Sequence, residues 1–370
     1  MPTKSTILLL GKLPPPYMGP AIATSILLHS ELKKSYNLIH FDTRLNKDIR
    51  SIGSIRLSKV FALGGQYLSF SRSIRKYKPD VVLVPISQSK GGFLKDSIFI
   101  LIASILKCKV LVHLRGSEFR EIVERSPSTY RQLVRWILRK CSGAIVLGKS
   151  LRPIFHGLVP DDRIFVCPNG CNLNLPQRNH NQTNRIRLLS IGNLQASKGI
   201  PDILEAIRVL PKPVRESVSL VVLGAWRDES TRIDCMRLVE ENQLPVEFVP
   251  SEESGKKVEL LSQADVFLFT PRSPEGHPWV IVEALAAGLP IITTNRGAIA
   301  ESVTDGENGY IVPLRDPAAI AERLMKLIAN AEKRQRMGRQ SRKTYESAFT
   351  EELMVERLDQ IIRQTLQSKP

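Results

Sequence analysis

Twelve short apolar runs, separated by stretches with helical spacing, constrain the fold of this chain more than any other feature. In the first half they are "TILLL" (6–10), "NLIHF" (37–41), "DVVLVP" (80–85), "KVLVHL" (109–114), "GAIVLG" (143–148) and "RIFVCP" (163–168). The second half restarts with "IRLLSIG" (186–192), "VSLVVLG" (218–224), "VEFVP" (246–250), "ADVFLFT" (264–270), "PIITT" (290–294) and "GYIVP" (309–313). Runs this continuous suit strands buried on both faces, which means parallel sheets with helices on either side. Helix candidates between them include Ala21 to Lys34, Gln66 to Tyr77, Leu94 to Leu106 and Tyr130 to Cys141. Between the two series, "PNGCNLNLPQRNHNQTN" (168–184) is polar and rich in Asn and Pro, a linker composition. The expected class is α/β, with two doubly wound, Rossmann-like domains at residues 1–170 and 171–349. They should face a cleft that is the default ligand site. A length of 370 residues suits two such domains. The helical tail ends in a segment at about 350–370 that either finishes the second domain or packs back on the first.

The stretch "PEGHPWVIVEALAAGLP" (274–290) carries the sharpest chemical signal. From Trp279 to Leu289 everything except Glu283 is apolar, alanine or glycine, and an ionised side chain in such a place is costly unless something binds it. Pro278 fits the first turn of a helix, so "EGH" forms the turn at its mouth, where free N–H groups and the dipole favour anions and hydroxyl oxygens. Glu275 stands at that mouth. A carboxylate deeper in such a helix can accept two bonds from the vicinal hydroxyls of a ribose. The competing readings are a structural Arg or Lys partner for Glu283 and a plain helix-end carboxylate for Glu275.

Three further loops follow strands. "SIGNLQASKGIPDILEAI" (190–207) offers a glycine-containing turn, Lys198 and a helix opening near Pro201, a geometry able to cradle a diphosphate. Its glycine spacing is not that of a Walker loop, and an ordinary surface lysine is the competing reading. In "GKLPPPYMGPA" (11–21), Gly19 just before a helix would let a ligand approach the backbone, against the alternative of a proline-stiffened turn. "VHLRGSEF" (112–119) places His113, Arg115 and Glu118 at the end of the fourth strand; a lone strand histidine is more often packed than catalytic.

With these residues in view, "EGHPWVIVEALAAGLPIITT", "IGNLQASKGI", "VCPNG" and "AESVTDGENGYIVP" resemble the donor-domain motifs of glycosyltransferase family 4, and "LPPPYMGPA" resembles that family's N-terminal glycine loop. The likeness runs over nearly the whole chain and is strongest from about Arg185 to Pro313. It implies the GT-B fold and a retaining, hexosyltransferase-type enzyme that moves a sugar from a nucleotide-sugar to a glycan or lipid-linked acceptor in surface polysaccharide or glycolipid synthesis. Glu283 would bind the ribose. Glu275 with the backbone of Gly276, His277 and Pro278 would hold the sugar, and Lys198 would neutralise the diphosphate. Such enzymes need no metal or other cofactor for catalysis, and no D-x-D triplet occurs here. Retention is described in this family as front-face attack, with the departing phosphate helping to deprotonate the acceptor hydroxyl.

The chain departs from the family pattern twice. Asn193 stands where an arginine is common, so one diphosphate contact is weakened or comes from elsewhere. The family's active-site histidine directly precedes the loop glycine, a place held here by Arg115, with His113 two residues earlier. The role falls to His113 or passes to Arg115. A GT-B sugar-nucleotide epimerase and a non-catalytic basic membrane- or nucleic-acid-binding module are the alternatives.

Charge bears on the partner. The formal net charge is +17, and residues 1–180 carry 28 Lys and Arg against 10 Asp and Glu, so the excess sits in the first half. Such a field favours an anionic partner. "YRQLVRWILRK" (130–140) repeats Arg131, Arg135 and Arg139 every four residues beside Trp136 and Ile137, which suits an anionic bilayer surface; solvated arginines on an ordinary amphipathic helix are the competing reading. No nucleic-acid-binding aromatic motif or recognition-helix signature occurs. No apolar run approaches the ~20 residues of a membrane span, the N-terminal "STILLLG" is too short for a secretory core, and the five scattered cysteines form no zinc pattern. The expected location is cytoplasmic, peripheral on the inner face of the cell membrane.

Overall fold

A computed structural model describes residues 4–15, 19–44, 57–176, 185–250 and 255–368. The chain forms two compact units, Met1–Pro168 with Glu352–Pro370, and Asn169–Glu351. Part of the linker (177–184) and part of the first loop (16–18) lie outside the described residues.

The first unit holds β1 (Thr6–Gly11), β2 (Asn37–Asp42), β3 (Val81–Ile86), β4 (Lys109–Leu114), β5 (Gly143–Val146) and β6 (Ile164–Val166). They form one parallel sheet in the order β2-β1-β3-β4-β5-β6. Successive residues point to opposite faces, and Ile7, Leu8, Val81, Val82, Val110, Leu111 and Val112 are all fully buried, so both faces are covered. On one side Phe70 and Phe99 pack edge to face at 5.0 Å between ring centres. The strand order reverses between β1 and β3, which opens a crevice at their carboxyl ends.

The helix Glu351–Gln367 completes this unit. Tyr36 Oη donates to Asp359 Oδ1 at 2.7 Å. Lys109 Nζ donates to the carbonyls of Thr365, Leu366 and Ser368 at 3.0, 2.8 and 2.7 Å. A lysine there satisfies carbonyls that have no partner within the helix and opposes its dipole.

The second unit repeats the plan with β7 (Ile186–Ile191), β8 (Val218–Leu223), β9 (Val246–Val249), β10 (Val266–Phe269), β11 (Ile291–Thr294) and β12 (Gly309–Val312), in the parallel order β12-β11-β10-β7-β8-β9. One core packs Leu188, Leu220, Val266, Leu268 and Ile292 against Ile203, Leu204 and Ile207. The other packs Leu189, Phe267 and Ile291 against Ile281, Val282 and Leu285. The reversal falls between β7 and β10.

The helix expected from Tyr130 spans Ser128–Leu138. It buries Val134, Ile137 and Leu138, so Ile137 is core and does not extend the cationic face as expected. What it exposes is Leu133 and Trp136, the latter 52% accessible with Lys140 Nζ 4.5 Å over its ring. Arg131, Arg135 and Arg139 are also exposed. The five cysteines are free, and burial pushes the Cys141 and Cys235 thiols up to about 12. No described helix is long and apolar enough to cross a membrane.

Candidate functional site

The loops at the carboxyl edge of the second sheet are locked together by backbone contacts that depend on glycine. After β7, the turn Ala196–Lys198 ends at Gly199, whose φ is +83°. A Cβ there would lie 2.0 Å from the Thr270 carbonyl oxygen, so only glycine lets this loop rest on the end of β10. Arg272 N and Ser273 N then donate to Ser197 O at 2.9 and 3.2 Å. Arg272 forms a bidentate pair with buried Asp202 at 2.8 and 2.6 Å, tying the loop after β10 to the helix Ile200–Val209. Gly297, with φ +57°, packs under Glu275 in the same way, its Cβ position 1.9 Å from the Glu275 carbonyl. Ala298 N donates to Gly276 O at 2.8 Å.

This scaffold brings Lys198 Nζ onto Glu275 Oε1 as an ion pair. His277 is buried beneath the loop: Nδ1 accepts from Asn169 N at 3.2 Å, its carbonyl accepts from Asn169 Nδ2 at 2.6 Å, and Nε2 lies 2.7 Å from Ser302 Oγ. Because Nδ1 accepts, the proton of the neutral ring sits on Nε2 and is donated to Ser302. The imidazole therefore anchors the loop, and the backbone is what His277 can offer a ligand. Pro278 is the residue capping the helix Trp279–Ala286, with ψ 130°, one position earlier than its expected place in the first turn.

Glu283 sits inside that helix, 6% exposed. Its Oε1 accepts from Lys257 Nζ at 2.6 Å. Its Oε2 is buried and has no hydrogen-bond partner. Both glutamates thus have lysine partners: for Glu283 this is what the structural reading of the sequence required, while Glu275 is more than the plain helix-end carboxylate of that reading. That reading leaves Oε2 without an explanation, since a buried acceptor with nothing to accept costs about 1–3 kcal/mol. Lys257 lies in the first turn of the helix Lys256–Gln263, which follows β9.

Asn193 does not stand alone. Its Oδ1 accepts from Arg227 Nε at 3.0 Å and Nη2 at 2.8 Å. Arg227 and Lys257 were missed in the sequence. Their signal is positional: Arg227 is a cation four residues past the end of β8, and Lys257 opens the helix that follows β9.

The structure therefore places Asn193, Lys198, Glu275, Gly276, His277, Pro278 and Glu283 in the second unit and joins Lys198 to Glu275. Gly19, His113 and Arg115 lie in the first. There a cavity of about 360 Å³ opens at the carboxyl ends of β1, β3 and β4, lined among others by Lys12, Lys95, Asp96, His113 and Arg115. Gly19 begins the helix Gly19–His29, whose Pro20 and Ala21 also line it. His113 is buried, and its Nε2 has no hydrogen-bond partner. Burial, reinforced by the Arg115 charge, holds its pKa well below that of an ordinary imidazole, so the ring is neutral at pH 7. Burial also brings Arg115 down to about 10, which leaves it cationic. Glu118 donates its backbone N–H to Gln88 Oε1 at 2.6 Å. Among the described residues no three His, Cys, Asp or Glu side chains converge as a metal site would require.

Residues 173–344 match the family model Glycosyl transferases group 1, so the second unit carries a domain of that group. Spore coat protein SA of Bacillus subtilis is 32% identical over 46% of this chain and 47% of its own length. The capsular polysaccharide biosynthesis glycosyltransferase CapM of Staphylococcus aureus is 30% identical over 46% of this chain and 43% of its own length. The chain spans about half the length of the curated relatives it matches. Among solved structures, sucrose-phosphate synthase from Thermosynechococcus elongatus superposes with a TM-score of 0.77 at 18% identity, covering 98% of this chain and 99% of that one. Anabaena HepE in complex with UDP-glucose gives 0.73 at 14%, covering 97% and 99%. At such identities the likeness is one of fold, and the fold is GT-B, built from two Rossmann-like domains.

Proposed function

We propose that this chain is a retaining glycosyltransferase that moves a hexosyl group from a nucleotide-sugar to a glycan or lipid-linked acceptor in surface polysaccharide or glycolipid synthesis. The buried, unpartnered Oε2 of Glu283 carries this reading, because it needs a hydroxyl donor and a ribose supplies a vicinal pair. Lys198, paired with Glu275 at the same sheet edge, is the cation for the diphosphate; Glu275 and the backbone from Gly276 to Pro278 receive the sugar. A lysine and helix N-termini stabilise a phosphate leaving group without a divalent ion. The names of CapM and of the HepE complex with UDP-glucose support a polysaccharide product and a sugar nucleotide as donor. The first-unit cavity, with neutral His113 and cationic Arg115, is the acceptor pocket of this reading. Incubation with UDP-, GDP- and ADP-sugars in the presence of EDTA should release free nucleotide slowly from one of them. An altered but uncleaved sugar would indicate an epimerase instead, and a strict requirement for added Mg²⁺ would contradict the lysine-based account.

The acceptor side of the proposal includes an anionic membrane surface. Trp136 and Leu133 stand exposed among Arg131, Arg135 and Lys140 on a unit whose sequence holds the whole cationic excess. Vesicles containing an anionic phospholipid should bind the protein in a salt-sensitive way. Neutralising Arg131 or Arg135 should weaken that binding about fivefold each, from roughly 1 kcal/mol per surface cation. Equal binding to neutral vesicles would defeat this part.

A further inference from the structure

We infer that Arg227, held in place by Asn193, is a diphosphate-binding cation of the donor site. The inference rests on the donor reading above and concerns which group supplies the second positive charge. Leu194 N donates to Ala225 O at 2.9 Å and Arg227 N to Leu194 O at 3.0 Å, so the loops after β7 and β8 continue side by side beyond their strands. Arg227 and Lys198 consequently leave the same sheet edge on adjacent loops.

Arg227 is held by a side-chain amide of the loop that carries Lys198; Arg215, Arg296 and Arg334 in this unit also donate to neutral oxygens, but to backbone carbonyls. Arg208, Arg232, Arg237 and Arg342 in this unit each pair with a glutamate or aspartate three or four residues away. Among the described residues no carboxylate pairs with Arg227; Nε and Nη2 both donate to the neutral amide oxygen of Asn193. A neutral acceptor orients the guanidinium and leaves its charge uncompensated. Two of its five N–H donors are used and three remain, in a planar fork that matches phosphate oxygens. Arg227 is exposed, so nothing in the core calls for this arrangement. Asn193 is a positioning residue: it acts through Arg227.

Calorimetric titration with UDP, GDP and ADP identifies the diphosphate that binds most tightly, and its parent nucleoside serves as the uncharged control. Arg227→Ala should weaken the diphosphate about tenfold or more, the size of a lost charge-assisted bond, with nucleoside affinity unchanged. Asn193→Ala should also weaken the diphosphate, yet add no further loss when combined with Arg227→Ala. Both sites are on the surface, so melting temperatures should stay at the wild-type value. If Arg227→Ala binds the diphosphate as wild type does while Glu283→Gln does not, the inference is overturned and the donor reading stands. If wild type binds none of the three, both fall.

Discussion

Glu283→Gln should weaken binding of the preferred nucleoside diphosphate by about 10- to 100-fold, the range expected for one or two hydrogen bonds to a charged group. The glutamine keeps the shape of the side chain but removes the charge and turns one acceptor oxygen into an amide donor, so either the ribose hydroxyls or Lys257 Nζ would face an N–H group in place of an acceptor. It also takes the counter-charge from Lys257 Nζ, now 2.6 Å away. Lys257 is partly exposed, and water can solvate the released ammonium, so the melting temperature should move little. Titration calorimetry and thermal melting on the same sample separate the outcomes. Unchanged affinity with a large drop in melting temperature would mean that Glu283 serves only as the partner of Lys257.

Gly199→Ala should be among the most damaging single-methyl changes in the second unit. The added Cβ would sit 2.0 Å from the Thr270 carbonyl oxygen, at a φ of +83° that already costs an alanine roughly 1–2 kcal/mol. Relieving the contact means lifting the β7 loop off β10, which moves Lys198 away from Glu275. A total of about 3 kcal/mol corresponds to a melting-temperature loss of roughly 6–12 °C for a unit of this size, together with loss of nucleotide release. Gly157→Ala reports the backbone part alone, because Gly157 has a φ of +74° and nothing within 4 Å of its Cβ position, so the excess loss in Gly199→Ala is the steric part. Similar melting losses for the two variants would show that the loop does not depend on its seat against Thr270.

All twelve strands were legible in the sequence because a parallel strand buried on both faces must be apolar nearly throughout. Helix ends were not. The segment expected as one helix from Ala21 to Lys34 breaks after His29, where Ser30 Oγ donates to Leu27 O and accepts from Leu32 N. A serine side chain that competes with backbone bonding leaves no mark on apolar periodicity. The helix expected from Gln66 starts at Leu57 and runs through Gly64 and Gly65, which have open space around them. In the site, Glu283 was legible because a carboxylate interrupts an apolar helix, and Lys198 because it follows a strand and a glycine turn. The pairings of Asn193 with Arg227 and of Glu283 with Lys257 were not, since the first joins the loops after β7 and β8 and the second joins the helices after β9 and β10, and both depend on how the strands are ordered in the sheet. His277 shows the same limit from the other side: its residue type suggests chemistry, while Asn169 and Ser302 make its ring an anchor.

The last helix of the chain belongs to the sheet that begins it, with Lys109 gripping the carbonyls near Ser368. The residues up to Pro168 therefore wait during synthesis for a piece translated after the whole second unit. During that interval Tyr36 and the Lys109 edge stay uncovered, and a nascent chain released at Pro168 would keep them so.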